Sequence, residues 1–371
     1  MTQDVYGRLG VQRVVNAAGR LTMLGGSALS REVAEAMAEA GQGYVRLADL
    51  HDRAGELIAG WTGAEAACVT TGAAAGIALM VAACTAGTDP AAVERLPDVA
   101  HDKRDVLVQI GHLVSFGAPV AQMIRLGGGR PVAVGWANGV RRDHLESAIG
   151  PTTAAFLYVQ SHHTVHHGML PLETCLELCR AHGVPFLLDA AAEEDLRRYV
   201  AMGVDAVAYS GGKAFGGPTS GFVAGRRELI AGCRAQERGI GRPMKVGKEA
   251  IVGLLVALER YAARDDEVAR AEHDRQLKIV ERLARELRDV PGIRVETIHD
   301  EAGRRIVRAA VHVDPSSGRT AADLATFMAD GTTPVYLRGH HAPEGYVAVD
   351  PRPIDARDVP LIVERIREFV K

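Results

Sequence analysis

The 371-residue sequence predicts an α/β fold, with a large, mostly parallel sheet domain followed by a smaller α+β C-terminal domain. Three observations carry this expectation. Short apolar runs at residues 65–70, 105–110, 154–160, 184–188 and 206–209 read as buried strands. Amphipathic or small-residue stretches lie between them, and strands joined by such crossovers run parallel and bring their carboxyl ends to one edge of the sheet. Beyond residue 293 the strands and helices alternate at closer spacing, as in a separate α+β layer. With 47% hydrophobic and 24% charged residues, the chain is long enough to build both cores. A formal charge of -3 offers no bulk attraction to nucleic acid. No terminal segment has a signal-peptide pattern and no run suffices to span a bilayer, so a soluble, cytoplasmic protein without a membrane partner is expected.

The elements follow in order. Residues 1–30 are glycine-rich and read as an N-terminal arm rather than a core element, 31–247 as the large domain, and 248–371 as a bridging helix and the small domain. Ser30 is placed to cap a helix over 31–40, and Leu50, Ala54, Leu57, Ile58 and Trp61 mark the buried stripe of a helix over 50–62. The strand at 65–70 runs into a helix of small residues, TTGAAAGIALMVAAC. Residues 119–126 and 130–134 read as further strand and turn, and 193–202 as the crossover helix between the strands at 184–188 and 206–209. The region 248–288 reads as largely helical. Strands at 294–298, 308–313, 335–337 and 346–349, with helices at 321–329 and 359–370, make up the last domain. There is no internal repeat.

Two residues at the ends of successive strands define a chemistry. Asp189 closes the run at 184–188, and Lys213 follows the run at 206–209. An amine that forms a Schiff base with an aldehyde must be partly desolvated to lose its charge, and glycines around it let a flat ligand approach. Gly211, Gly212, Gly216 and Gly217 bracket Lys213. An aspartate beside a pyridinium nitrogen keeps that nitrogen protonated and makes the ring an electron sink. Acid first and lysine second, on consecutive strands, is the arrangement with which enzymes of the aspartate-aminotransferase fold hold pyridoxal 5'-phosphate (PLP). Singly, Asp189 would read as a helix cap and Lys213 as a solvated loop lysine; together they support the cofactor.

Upstream, Thr70, Thr71, Gly72, Ala73 and Ala74 stand at a helix start, where free amides and the positive dipole end suit a phosphate. Close helix packing would use the same small residues. His112, after the strand at 105–110, is placed to stack on the pyridine ring; alone it would read as a loop residue. The cluster SHHTVHHG supplies His162, His163 and His166. Adjacent histidines point apart in an extended chain and no acidic ligand is interleaved, so no metal is expected, and proton transfer or substrate contact is. Five scattered cysteines, Cys175 and Cys179 among them one helical turn apart, read as buried thiols.

The segments NAAGRLTMLGGSALS, TTGAAAGIALMVAA, QIGH, SHHTVHHGMLPLE, LLDAAAE, SGGKAFGGPTSGFVAGR, GIGRPMKVGKE and EGYVAVDPRP resemble the selenocysteine-synthase-like branch of fold-type I PLP enzymes. Within that branch they are closest to the D-glucosaminate-6-phosphate ammonia-lyase group. The resemblance spans almost the whole chain and is most specific around SGGK and GRPMKVGKE. It implies that Lys213 is the Schiff-base lysine, that Asp189 pairs with the pyridine nitrogen, that residues 71–74 hold the phosphate with Ser210 of SGGK among the cofactor contacts, and that His112 stacks. It does not imply transfer-RNA binding, for which true selenocysteine synthases carry an extra N-terminal domain.

An ammonia lyase needs a base for the substrate Cα proton, Lys213, and an acid for a departing β-hydroxyl, for which His162, His163 and His166 are the candidates. Arg338, in YLRGHH, suits a substrate carboxylate, because a planar guanidinium binds it bidentately. Arg242, Lys245 and Lys248 form a cationic stretch suited to a substrate phosphate, or else a solvated surface. The alternative reaction is racemisation or epimerisation of an amino acid. A non-catalytic role, from a different class, requires that Lys213 bind no aldehyde. In this class sites lie between subunits, so the expected partners are the small-molecule substrate and a second copy of the chain.

Overall fold

Period-two burial along one strand sets the layers of the larger unit. On the strand Thr153–Val159, Phe156 and Tyr158 join one buried cluster while Ala155, Leu157 and Val159 join another, so helices must cover both faces. The computed structural model describes residues 4–161, 164–300 and 305–371. The chain divides into two compact units, Leu29–Ala263 and the combination of Met1–Ala28 with Arg264–Lys371.

Among the described residues the larger unit has seven strands in one sheet: β1 Ala66–Thr70, β2 Asp105–Gln109, β3 Arg130–Val134, β4 Thr153–Val159, β5 Phe186–Asp189, β6 Ala206–Ser210 and β7 Gly221–Gly225. Their order across the sheet is β1, β7, β6, β5, β4, β2, β3. Pairing is parallel from β6 to β3 and antiparallel on both sides of β7. Since β1 and β6 both oppose β7, they run in one direction, and every strand but β7 delivers its carboxyl end to the same edge. Full burial of Phe156, Phe186 and Phe222 contributes roughly 1.5–3 kcal/mol each. The helix Ala73–Thr85 is buried nearly all round, and Gly76 explains how it lies so close to the sheet: a Cβ there would stand 2.9 Å from the Ala208 Cβ.

Three local expectations are corrected. Residues 193–202 do not form a crossover helix; only Arg198–Ala201 makes a turn. The acceptors of 193–195 are taken by remote hydroxyls: Tyr209 donates to Asp195 O (2.8 Å), Tyr261 to Glu194 O (2.7 Å), and Tyr199 to Glu193 Oε2 (2.8 Å). Residues 120–126 form a helix rather than a strand, with Val120 and Ile124 buried one turn apart. The helical region after residue 247 is two helices, Lys248–Ala262 and Asp266–Leu287, the second opened by Asp265, whose side chain accepts from the Val268 amide. The first of them packs on Arg31–Gln42 and so belongs to the larger unit.

The smaller unit holds an antiparallel sheet in the order Tyr346–Val349, Val307–Val313, Ile293–His299, with helices Asp266–Leu287, Ala321–Ala329 and Val359–Phe369. The N-terminal segment is not merely an arm. Val15–Ala17 pairs in parallel with Val335–Leu337, and Ala17 and Ala18 are completely buried. Its burial comes from a partner strand far along the chain, which local composition does not reveal.

Candidate active site

Parallel direction brings Thr70, His112, Gln160, Asp189 and Ser210 to one edge of the sheet, at or just beyond the ends of β1, β2, β4, β5 and β6. Asp189 is 4% exposed. Burial raises its carboxyl to about 6, against the opposing effects of the Ala191 amide, which donates to Oδ1 at 3.0 Å, and of the Lys213 charge. The acid and the lysine therefore sense each other across the crevice.

Lys213 is half-buried in a turn closed by its own backbone. Gly211 N–H donates to Ser220 O (2.8 Å), Gly217 N–H to Gly211 O (2.8 Å), and Gly216 N–H to Lys213 O (3.2 Å). Gly216 sits at φ +69°, which a side chain would disfavour. Phe215 anchors the turn against Tyr209, Phe222 and Tyr261.

The turn from Thr70 to Ala74 is built differently. Thr70 Oγ1 donates to Gly72 O (2.9 Å), and no side chain caps the helix that begins at Ala73. Its first amides are thus left for a ligand, and the space beside Gly72 is open to 4 Å. Gly221 is the register partner of both Thr70 and Ser210, which ties the turn to the strand leading to Lys213. These residues fit PLP: uncapped helix amides for the phosphate, a half-buried amine, and a buried carboxyl that burial alone leaves poorly stabilised as an anion and that a cationic ring nitrogen would stabilise.

His112 is completely buried. Its Nδ1 accepts from the Val159 amide (3.2 Å), Tyr158 meets it edge-on at 4.4 Å between centroids, and Nε2 has no hydrogen-bond partner. Leaving a buried donor unpaired costs about 1–3 kcal/mol. Burial, with a smaller effect from His166, lowers its pKa to about 3, so the ring is neutral. Nearby, Val165 N–H donates to Gly111 O (3.0 Å), and Gln109 exchanges hydrogen bonds with the Leu170 backbone. His166 is exposed, its Nε2 shared between Thr164 Oγ1 (2.8 Å) and Ser161 O (2.9 Å). His162 and His163 lie outside the described residues.

The remaining candidates divide. Arg242 and Lys245 are exposed, whereas Lys248 is engaged by Ala40 O, at the end of one helix, and by Glu249 (2.6 Å). In the smaller unit Arg338 is half-buried, and burial, with Arg308 and Arg352 nearby, lowers its pKa. Its guanidinium makes no hydrogen bond among the described residues, because the Asp350 oxygens are taken by Arg308 Nε (3.0 Å) and by Arg352 Nε and Nη2 (2.9 and 2.7 Å). Sequence reasoning passed over Gln160, the half-buried end of the 154–160 run, which lies between the His112 and Asp189 strands; its being the last residue of that run was the available signal. Cys175 and Cys179 are buried thiols, and among the described residues no group of three His, Cys, Asp or Glu is arranged to hold a metal.

The sheet order, with Asp189 and Lys213 ending neighbouring strands, defines a fold-type I PLP-dependent enzyme fold acting on a small molecule. The chain belongs to the SelA family, described as L-seryl-tRNA selenium transferase, whose model matches residues 14–320. It is 46% identical to a 5'-C-glycyluridine monooxygenase-decarboxylase of Streptomyces sp., over 98% of this chain and 92% of that one. It is 42% identical to the D-glucosaminate-6-phosphate ammonia lyase of Salmonella typhimurium, over 100% and 99%. A solved structure of D-glucosaminate-6-phosphate ammonia-lyase superposes with a TM-score of 0.91 at 42% identity, covering 100% of this chain and 99% of that one. Alanine–glyoxylate aminotransferase of Nostoc sp., 18% identical over 97% and 96% with a TM-score of 0.60, shares the fold alone. No helix among the described residues is long and apolar enough to cross a membrane.

Proposed function

We propose that the chain is a PLP-dependent ammonia lyase acting on a β-hydroxy amino acid or an amino-sugar acid, phosphorylated or not. The observation that supports this reading is the full-length likeness to the Salmonella ammonia lyase in sequence and fold. PLP, when bound, supplies an electron sink for the pair left at the substrate Cα. Asp189 would meet the cationic ring nitrogen, while the Thr71 hydroxyl and the amides of Gly72, Ala73 and Ala74 would receive the phosphate, with Ser210 among the cofactor contacts. Lys213 would hold the cofactor's aldehyde and would be the base for the substrate Cα proton. The acid that protonates the departing β-hydroxyl would be one of His162, His163 and His166, a contribution of about 10²–10⁴-fold. Water leaves, and the unsaturated amine is hydrolysed to a 2-oxo acid and ammonia. Arg338 would receive the substrate carboxylate, and Arg242 and Lys245 a substrate phosphate, while Lys248, bonded to Ala40 O and Glu249, is less available for it. A homodimer or larger assembly follows from the class.

A second reading is favoured by the Streptomyces relative, whose name describes an oxidative decarboxylation. The test is a panel of D- and L-hydroxy amino acids, phosphorylated amino-sugar acids and glycyl nucleosides offered to PLP-loaded protein in deuterated water. Ammonia with a 2-oxo acid supports the lyase. Carbon dioxide with oxygen uptake moves the assignment to the second reading, and deuterium at an inverted Cα without ammonia moves it to an epimerase.

A further inference from the structure

Two tyrosines tie the segment that follows Asp189 to the turn that carries Lys213. Phe215, two residues past the lysine and 3% exposed, meets Tyr209 at 5.8 Å and Tyr261 edge-on at 4.9 Å between centroids. The hydroxyls of the same two tyrosines reach successive carbonyls beyond the acid: Tyr261 donates to Glu194 O (2.7 Å) and Tyr209 to Asp195 O (2.8 Å). The segment has no helix or strand of its own before Arg198, so its carbonyls take donors from elsewhere. Its first residues answer to the acid, since Ala191 N–H donates to Asp189 Oδ1 (3.0 Å) and Glu193 N–H to Ala190 O (3.0 Å). A short stretch of backbone thus runs from the buried carboxyl to the tyrosine hydroxyls, and their rings lead on to the lysine turn. Tyr209 belongs to β6 and is held by stacking on Phe222 at 5.0 Å. Tyr261 is the contact that neither segment supplies itself, because it stands on the helix Lys248–Ala262.

We propose that Tyr261 is a positioning residue for the cofactor: through Phe215 and Glu194 O it fixes the separation of Lys213 and Asp189, and so the fit of a ring held between them. This rests on the PLP reading above. Bound PLP would join the same two segments that Tyr261 joins, and two links across one pair of segments strengthen each other reciprocally. A tyrosine that only stabilised the fold would contribute equally with and without the cofactor. Arg197 provides the contrast, since its Nε donates to Trp61 O (3.0 Å) and anchors the same segment to the helix Leu47–Thr62 rather than to the Phe215 rings.

Tyr261→Phe keeps the ring on Phe215 and deletes the hydroxyl, and Arg197→Ala removes the other anchor. The PLP dissociation constant, the pH midpoint of the Schiff-base absorbance, and thermal unfolding with and without PLP are measured for each. Tyr261→Phe is expected to bind PLP about two- to tenfold more weakly, with a displaced absorbance midpoint and a larger drop in Tm with PLP than without it. Arg197→Ala is expected to keep the wild-type PLP constant and midpoint. In the wild-type protein, PLP is expected to slow amide hydrogen exchange at residues 191–195 and 214–217 together. Unchanged PLP affinity and midpoint in Tyr261→Phe, or an equal change in Arg197→Ala, overturns the proposal. Protection at 214–217 without protection at 191–195 overturns it as well, and this measurement stands even if a variant fails to fold. Wild-type protein that binds no PLP overturns the site reading itself, an outcome distinct from wild type and Tyr261→Phe binding PLP alike.

Discussion

Gly221 and Gly72 meet backbone to backbone: a Cβ at residue 221 would stand 2.8 Å from the Gly72 carbonyl carbon and Cα, and 2.5 Å from Tyr209 O. Neither neighbour is the end of a flexible side chain. Gly221→Ala must therefore displace the turn from Thr70 to Ala74. It is expected to cost about 1–3 kcal/mol and to weaken PLP binding, measured by thermal unfolding with and without PLP. An alanine variant with unchanged affinity would separate this contact from the cofactor site.

On the proposed function, Lys213→Ala is expected to abolish the Schiff-base absorbance of bound PLP and to lower turnover by at least about 10²–10⁴-fold, since the change would remove both the covalent anchor and the proton acceptor. Spectra and steady-state rates on the same preparation decide it; retained turnover would remove Lys213 from its role.

The raised pKa of Asp189 carries a stability cost with a definite sign. Its folded value of about 6 exceeds the ordinary 3.8, so in cofactor-free protein this residue erodes stability as pH rises from about 4 to 6, with no further change above. Asp189→Asn is expected to be more stable than wild type at pH 7 by roughly 2–3 kcal/mol without PLP, and to bind PLP less tightly. Denaturant titrations of both proteins at pH 4 and 7 measure the difference; equal pH dependence would contradict it.

Asp350 behaves in the opposite sense. Burial alone would raise its carboxyl, yet Arg352 and Arg308 together hold it at about 2. Its contribution is complete above about pH 4 and is lost as pH falls toward 2. Asp350→Asn leaves two buried guanidinium groups short of charge and is expected to destabilise the smaller unit by about 3–5 kcal/mol, visible in chemical denaturation. A loss below about 1 kcal/mol would show that the arginines find other partners.

The legible parts of the molecule were those whose signals are local. Asp189, Lys213 and the turn from Thr70 to Ala74 sit at strand ends that periodicity places, so their arrival at one edge followed from strand direction alone. The segment 193–202 has helical periodicity, but Tyr209 and Tyr261 claim its carbonyls from outside, and nothing within the segment announces them. The burial of His112 was hidden for a similar reason, because Gln109 and Gly111 beside it bond to Leu170 and Val165, residues more than 50 positions further along the chain.

The pairing of Val15–Ala17 with Val335–Leu337 also orders events on the ribosome. Roughly 320 residues separate the two strands, and at about 5–20 residues per second the first must wait some tens of seconds for its mate. The first strand of the chain to be synthesised is thus among the last to be seated, and the smaller unit is completed only after the whole larger unit has emerged.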